Sequence, residues 1–166
     1  MRVGIGYDLH RTQPGRRLVL GGVEIQSDFG LLGHSDADVV LHAVCDALFG
    51  AAGLPDIGEH FPDDDPAYRD ADSRGLLRAA IEQVGALGWS VTNVDVVIHA
   101  ERPRLREFKE RIRASLGALL GLAPQAVGVK ATTNEGLDAV GRGEAIACWA
   151  AVLLGATSAG DPPANA

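Results

Sequence analysis

Three side chains in the first quarter of the sequence have types and spacing that suit a metal site. Asp8 and His10 are two positions apart in residues 2–10, where apolar and polar side chains alternate as in a β-strand. On a strand, such side chains project from the same face. His42 would complete a carboxylate and two imidazoles, a set that leaves a fourth position open as catalytic zinc sites do. The alternative is a polar, exposed strand end.

The segment around His42 has helical spacing. Asp38, His42 and Asp46 recur every four residues, which places them on one helix face. They interrupt an apolar segment, where ionisable groups are costly unless they are paired or bind a metal. Asp38 or Asp46 could therefore orient a metal-binding histidine through a hydrogen bond. Alternatively, both aspartates cap the helix or face water.

Two further polar segments suit phosphate binding. Residues 33–36 lie at the start of the predicted helix, where free backbone N–H groups favour an anion, although Ser35 or Asp36 could equally cap that helix. Residues 130–135 and Arg142 combine a lysine, two hydroxyls, a carboxylate and an arginine among glycines, which suits a diphosphate and a magnesium ion. They could also form a polar loop before a strand.

One domain of alternating strands and helices, of α/β or α+β class, must position these side chains. The patterns predict strands at residues 2–10, 17–20, 93–100 and 127–133, helices at 35–50, 73–88 and 105–120, and loops at 30–35 and 53–72. Residues 145–154 are too uniformly apolar to distinguish a strand from a helix. Gly4 and Gly6 share the face of Asp8 and are expected to leave room beside it. We expect a single catalytic domain, residues 1–156, and a flexible tail, residues 157–166.

The composition argues against several classes of protein. The chain has 166 residues and a net charge of −7, which disfavours sequence-independent nucleic-acid binding. It shows neither a signal-sequence pattern nor an apolar run of about 18 residues, so we expect a cytoplasmic protein that does not enter membranes. Cys45 and Cys148 lie in apolar runs and are expected to be buried thiols. An anionic substrate would need metal ions, local cations or backbone N–H groups to offset its charge.

Taken together, the motifs resemble one known family, 2-C-methyl-D-erythritol 2,4-cyclodiphosphate synthase of the non-mevalonate isoprenoid pathway. The resemblance extends from Arg2 to about Leu154. It is carried by residues 2–10 (RVGIGYDLH), 32–38 (LGHSDAD), 41–48 (LHAVCDAL), 56–58 (DIG), 61–63 (FPD), 71–73 (ADS), 93–95 (NVD), 130–133 (KATT) and 141–145 (GRGEA). So many motifs in one order make the resemblance specific.

The resemblance implies a fold, a reaction and cofactors. The fold is a mixed four- to five-stranded sheet with helices on one face, and the sheets pack around a three-fold axis in a homotrimer. The enzyme converts 4-diphosphocytidyl-2-C-methyl-D-erythritol 2-phosphate to the cyclic diphosphate and releases CMP. Zinc is implied at Asp8, His10 and His42, and a second ion, magnesium or manganese, at Glu135.

The resemblance also implies roles for further residues. His34, Lys130 and Thr133 are the expected catalytic residues. The expected contacts of the phosphates and the erythritol are Ser35, Asp56, Ile57, Gly58 and Asp63. The cytidine pocket of a neighbouring subunit would comprise Ala100, Pro103, Arg104, Leu105, Ala131, Thr132 and Thr133. Arg142 would line a central channel that binds isoprenoid diphosphates in some members.

Three positions depart from the family pattern. Arg104 replaces a common lysine, which keeps the charge but changes the contact geometry. Asn134 replaces a frequent threonine. Ala139 replaces a common aromatic residue, which weakens the case for isoprenoid binding in the channel. Two other functions fit the same residues: a phosphohydrolase that uses a metal-bound water, and a trimeric metal-binding or isoprenoid-sensing protein without catalysis.

Overall fold

A computed structural model of the chain describes residues 1–62, 65 and 71–157. Asp63, predicted to contact the substrate, and residues 158–166 of the predicted tail lie outside the described residues. Thr157, where that tail was expected to begin, donates its backbone N–H to the carbonyl oxygen of Gly88. In the described ranges, no helix has the length and apolar character needed to cross a membrane.

A five-stranded mixed sheet forms the centre of the fold, as predicted. Its strands lie in the order β4 (Phe29–Leu31), β1 (Arg2–Pro14), β7 (Ala145–Ala156), β5 (Trp89–His99) and β6 (Val127–Thr132). β5 and β6 are parallel, and the other neighbours are antiparallel. The undecided residues 145–154 therefore belong to a strand. Helix α1 covers the apolar side chains on one face of β7, and those on the other face are partly covered.

A separate hairpin follows β1. It consists of β2 (Leu18–Leu20) and β3 (Val23–Ile25), joined by Gly21 and Gly22, whose φ angles of 60° and 74° suit a tight two-residue hairpin turn. The predicted strand and turn are thus confirmed. The loop predicted at residues 30–35 is wrong at its start, because β4 pairs there with the end of β1.

The three longer helices are α1 (Val39–Ala52), α3 (Ser73–Ala86) and α4 (Lys109–Leu120). A short helix, α2 (Ile57–His60), interrupts the loop predicted at residues 53–72, because the carboxylate of Asp56 caps it and Asp46 accepts the backbone N–H of Ile57. A 3₁₀ turn at Pro124–Ala126 precedes β6, and the fifth helix, α5 (Asp138–Gly141), follows that strand. All three longer helices pack on one face of the sheet.

Helix α1 lies directly against β1. A Cβ built on Gly4 would be 2.0 Å from the carbonyl oxygen of Ala47, and one on Gly6 would be 1.9 Å from that of Ala43. The two glycines therefore let the helix backbone touch the strand. The room that we expected beside Asp8 is thus filled by α1, because a helix packs closest where the strand has no side chains.

The other sheet face is apolar and largely open in the single chain. Val3 and Ile5 are 71% and 67% exposed, and Tyr7, Leu9 and Trp149 are also exposed. Tyr7 and Trp149 are register partners whose rings are 4.6 Å apart. The short α5 covers one end of this face. The exposed side chains of this open face are Val3, Ile5, Tyr7, Leu9 and Trp149.

Candidate metal centre

Three ligand atoms converge at the contact between β1 and α1. Asp8 Oδ2 lies 2.9 Å from His10 Nε2 and 3.0 Å from His42 Nδ1, and the two nitrogens are 3.1 Å apart. A tetrahedral zinc ion with bonds of about 2.0–2.1 Å separates its ligand atoms by roughly 3.3 Å. The three atoms would therefore need to move apart only slightly to bind such an ion. Among the described residues, this is the one group of three or more metal-ligating side chains within mutual reach.

The strand and the helix each contribute part of this cluster. Asp8 and His10 share one face of β1, as their spacing predicted. His42 is in the first turns of α1 and next to Ala43, whose carbonyl oxygen faces Gly6. The close contact between α1 and β1 thus brings His42, which is 32 residues from His10 in the sequence, into the same cluster.

Hydrogen bonds fix which ring nitrogen of each histidine faces the cluster. His10 Nδ1 lies 2.9 Å from the carbonyl oxygen of Leu32. Because a carbonyl only accepts, Nδ1 carries the proton and Nε2 offers its lone pair. His42 Nε2 lies 2.9 Å from Ser73 Oγ, which leaves Nδ1 facing Asp8 and His10. Both lone pairs are thereby directed at one point.

Asp8 is the charged member of the cluster. Burial alone would raise the pKa of its carboxyl, but the neighbouring His10 and His42 rings, when protonated, donate to it and outweigh burial, which holds the pKa well below the ordinary value. The carboxylate is therefore ionised at neutral pH and half enclosed beside two imidazoles. This donor set of one carboxylate and two imidazoles fits a zinc ion.

The predicted role of Asp38 or Asp46 in orienting a histidine is wrong. Asp38 is the N-cap of α1 and accepts the backbone N–H groups of Gly21, Gly22, Val40 and Leu41. Complete burial raises the pKa of Asp38 to about 6, although these backbone bonds favour the ionised form. The cap predicted at Ser35 or Asp36 is likewise wrong, because the helix begins later, at Val39.

Two functional contacts were missed by the sequence analysis. Ser73, fully buried at the start of α3, lies against His42 and donates its hydroxyl proton to Asp36. Arg16 donates to the carbonyl oxygens of Gly33 (3.3 Å) and Ser35 (3.0 Å) on either side of His34. Ser73 stood out in the sequence as a helix start and as part of the motif at residues 71–73, neither of which indicated a contact with His42. Arg16 lies in a bend with no recognisable pattern.

The loop predicted to meet phosphate lies beside the three ligands. Ser35 is buried, and its Oγ is 3.2 Å from His42 Nε2. His34 is more exposed, and its Nε2 is 3.3 Å from the carbonyl oxygen of Asp65. The loop is thus in contact with a metal ligand through Ser35, and the predicted phosphate contacts of His34 and Ser35 stay a prediction.

The residues predicted to bind the diphosphate and the second metal ion lie on or after β6, the strand at the far edge of the sheet. Lys130, on β6, donates to the carboxylate of Asp95, and Thr133 Oγ1 donates to Glu135 Oε1 at 3.2 Å. β6 and β1 are separated by β7 and β5, which amounts to about 14 Å across three strand spacings. Among the described residues, Glu135 is not part of the group of metal-ligating atoms formed by Asp8, His10 and His42.

The two halves of the predicted cytidine pocket do meet. Ala100 donates its backbone N–H to the carbonyl oxygen of Thr132 at 3.0 Å. This bond joins the segment that contains Pro103, Arg104 and Leu105 to the segment that contains Ala131, Thr132 and Thr133. Arg142, the predicted channel residue, is exposed and paired with Glu144 at 3.0 Å.

Comparisons with known proteins show which family the chain matches. The model of the YgbB family matches residues 1–155. The 2-C-methyl-D-erythritol 2,4-cyclodiphosphate synthase of Bordetella pertussis is 57% identical over 153 residues, which are 92% of this chain and 94% of that protein. A solved synthase in its CDP-bound form is 39% identical, with a TM-score of 0.86 over 93% of this chain and 100% of the other.

A longer protein also contains this fold. The bifunctional IspDF from Campylobacter jejuni is 39% identical, with a TM-score of 0.91 over 95% of this chain, which spans 42% of that protein. The family match thus covers nearly the whole chain, and the solved synthase shares both its length and its fold. On these grounds the chain belongs to the YgbB family, together with the 2-C-methyl-D-erythritol 2,4-cyclodiphosphate synthases that it matches.

Proposed function

We propose that this chain forms 2-C-methyl-D-erythritol 2,4-cyclodiphosphate and CMP from 4-diphosphocytidyl-2-C-methyl-D-erythritol 2-phosphate. An oxygen of the 2-phosphate attacks the β-phosphorus, and the bond from that phosphorus to the CMP oxygen breaks. The names of the relatives state the product, and one solved relative carries CDP. The observation that carries the proposal is the triangle of Asp8, His10 and His42.

Zinc is the proposed ligand of that triangle, since the donor types and their separations suit it. When bound, it would supply positive charge against the phosphate oxygens. Glu135 is the proposed ligand of a second ion, magnesium or manganese, because exposed carboxylate oxygens suit such hard cations. The net charge of −7 makes such local cations necessary for a substrate with several phosphates.

The chain's own residues would position the substrate. His34 and Ser35 border the metal ligands and would contact the reacting phosphates, while Lys130 and Thr133 would offset and hold the diphosphate. Arg16 would keep the loop of His34 in place through its two carbonyl contacts. Asp56, Ile57, Gly58 and Asp63 are the proposed erythritol contacts. Because this reaction is an internal displacement, no covalent enzyme intermediate is required.

A homotrimer is the proposed assembly. The open face presents exposed apolar side chains of a kind that a partner subunit usually covers. In addition, the proposed nucleotide contacts lie near β6, which β5 and β7 separate from β1, and a neighbouring subunit would bring such a set of contacts to each metal cluster. Arg142 would line the central channel, where an isoprenoid diphosphate is a further proposed ligand. We place the reaction in the cytoplasm, in keeping with two free, buried cysteines.

A product assay tests the proposal. Purified protein, supplied with zinc and magnesium, is incubated with the cytidyl substrate and followed by ³¹P NMR. Cyclic diphosphate plus CMP is the expected result. Linear hydrolysis products would instead identify a phosphohydrolase, and binding of zinc and CMP without turnover would identify a non-catalytic binding protein.

A further inference from the structure

We propose that Ser73 is a positioning residue for metal binding, as the middle member of a hydrogen-bonded chain from Asp36 through Ser73 to His42. This inference rests on the metal site proposed above and assigns a new role at that site. Ser73 is 31 residues from His42 in the sequence and belongs to a different helix, α3. It is fully buried, so its hydroxyl has to be satisfied by the protein.

The direction of each hydrogen bond follows from the chemistry of its partners. A carboxylate only accepts, so the Ser73 hydroxyl proton points to Asp36 Oδ1. The other oxygen of Asp36 accepts the backbone N–H of Ser73 at 3.3 Å, so the carboxylate holds both groups of the serine. The oxygen lone pairs of Ser73 therefore face His42 Nε2 at 2.9 Å and accept its proton.

Ser35 is the competing acceptor for His42. Its Oγ lies 3.2 Å from the same Nε2, a longer contact, and it already accepts the backbone N–H of Ala37 at 3.1 Å. No carboxylate of the described residues is bonded to Ser35 Oγ. Ser73 therefore holds the imidazole, and the Ser35 hydroxyl lies within hydrogen-bond distance of Ser73 Oγ, at 3.4 Å.

This chain of bonds would affect metal binding in two ways. It keeps Nε2 protonated and the His42 ring oriented, so that the Nδ1 lone pair points at Asp8 and His10. It also places a negative charge behind the ring, which strengthens the nitrogen as a ligand. His10 is oriented by the backbone carbonyl of Leu32, so a side-chain substitution tests the orientation of His42 alone.

Zinc affinity of the purified protein, measured by competition with a chromophoric chelator, is the direct test. We expect Ser73→Ala to weaken zinc binding roughly 10- to 100-fold, the usual effect of losing such a partner. Ser73→Thr, which keeps the hydroxyl, should recover part of that loss. Ser115→Ala, the same change on α4, is the matched control and should leave zinc affinity unchanged.

A double-mutant cycle separates this role from a merely structural one. If Asp36 acts through Ser73, Asp36→Asn should weaken zinc binding in the wild-type background but add little in Ser73→Ala. Unchanged zinc affinity in Ser73→Ala, with only a lower melting temperature, would overturn the proposal. Should Ser73→Ala fail to fold, Asp36→Asn decides instead, since unaltered affinity there would also overturn it. Failure of the wild-type chain itself to bind zinc would refute the metal site, which is a different result.

Discussion

The backbone of Gly6 lies so close to the carbonyl oxygen of Ala43 that a Cβ on the glycine would be 1.9 Å away from it. This contact sets the distance between β1 and α1. Since Asp8 and His10 follow Gly6 on the strand and His42 precedes Ala43 on the helix, the same contact sets the separation of the three metal ligands.

Substitution of Gly6 should therefore damage both stability and metal binding. We expect Gly6→Ala to lower the free energy of unfolding by about 3 kcal/mol or more, at or above the usual range for overpacking, because the obstacle is backbone. Zinc affinity should fall in the same variant. Gly75→Ala is the matched control, because a Cβ on Gly75 meets nothing within 4 Å and α3 gains an alanine. Urea unfolding and zinc titration check both, and equal stability of Gly6→Ala and wild type would contradict the packing argument.

His42→Ala should abolish the metal site without unfolding the chain. Loss of a direct ligand is expected to cost roughly 100-fold or more in zinc affinity, beyond the effect of losing an orienting partner. Activity should fall in parallel, while the oligomeric state stays that of the wild type. Metal content by mass spectrometry is the measurement, with His99→Ala as a control on the opposite sheet face. Full zinc content in His42→Ala would remove His42 from the ligand set.

The cap of α1 should contribute more to stability than the cap of α3. Asp38→Ala would leave four buried or half-buried backbone N–H groups without their acceptor, so we expect a loss of about 3 kcal/mol or more. Asp72→Ala removes the exposed cap of α3 and should cost about 1 kcal/mol. Chemical denaturation of both variants checks the ranking, and equal losses would contradict it.

Asp38 should also give the stability a measurable pH dependence. Burial raises its pKa from 3.8 to about 6 in the folded chain, so the folded state holds this proton more tightly than the unfolded state. The resulting contribution to stability is fully present below pH 3.8 and is lost as the pH rises through about 6. Relative to Asp38→Asn, the wild type should therefore lose stability over that interval. A constant difference across the interval would show that the pKa is not raised.

The two cysteines should be unreactive in the native state. Cys45 and Cys148 are fully buried, and burial raises the pKa of each thiol above its ordinary value. Both therefore remain protonated at pH 8, and the thiolate is the reactive form. A colourimetric thiol reagent should detect almost nothing in the native chain and two thiols after denaturation. Rapid labelling before denaturation would contradict the assigned burial.

A charge on the open face should disrupt the proposed trimer. Ile5 is 67% exposed in the single chain, so Ile5→Glu should fold but fail to assemble, because a buried, unpaired carboxylate is costly in an interface. Activity should fall with it, since the neighbouring subunit completes each site. Leu87→Glu changes a similarly exposed apolar residue away from this face and should stay assembled. Light scattering measures the mass, and a trimeric Ile5→Glu would place the interface elsewhere.

Local pattern was enough to identify much of this protein. The alternation in residues 2–10 predicted β1 and the shared face of Asp8 and His10, and the four-residue spacing of Asp38, His42 and Asp46 predicted a helix. The ordered motifs identified the family, because residue types and spacings are properties of the sequence alone. The strands at residues 93–100 and 127–133 and the buried cysteines followed from the same kind of reasoning.

Contacts between distant segments needed the tertiary structure. The sequence suggested that Gly4 and Gly6 leave space, whereas the packing of α1 shows that they remove it. Asp38 and Asp46 had the spacing of partners for His42. In the structure, however, Asp38 accepts the backbone N–H groups of Gly21 and Gly22, and Asp46 accepts that of Ile57. Ser73 is the opposite case, a helix-start residue that became the partner of His42 when α3 packed against α1. Periodicity defines which face a side chain occupies, but the residue that it meets there depends on how separate elements pack.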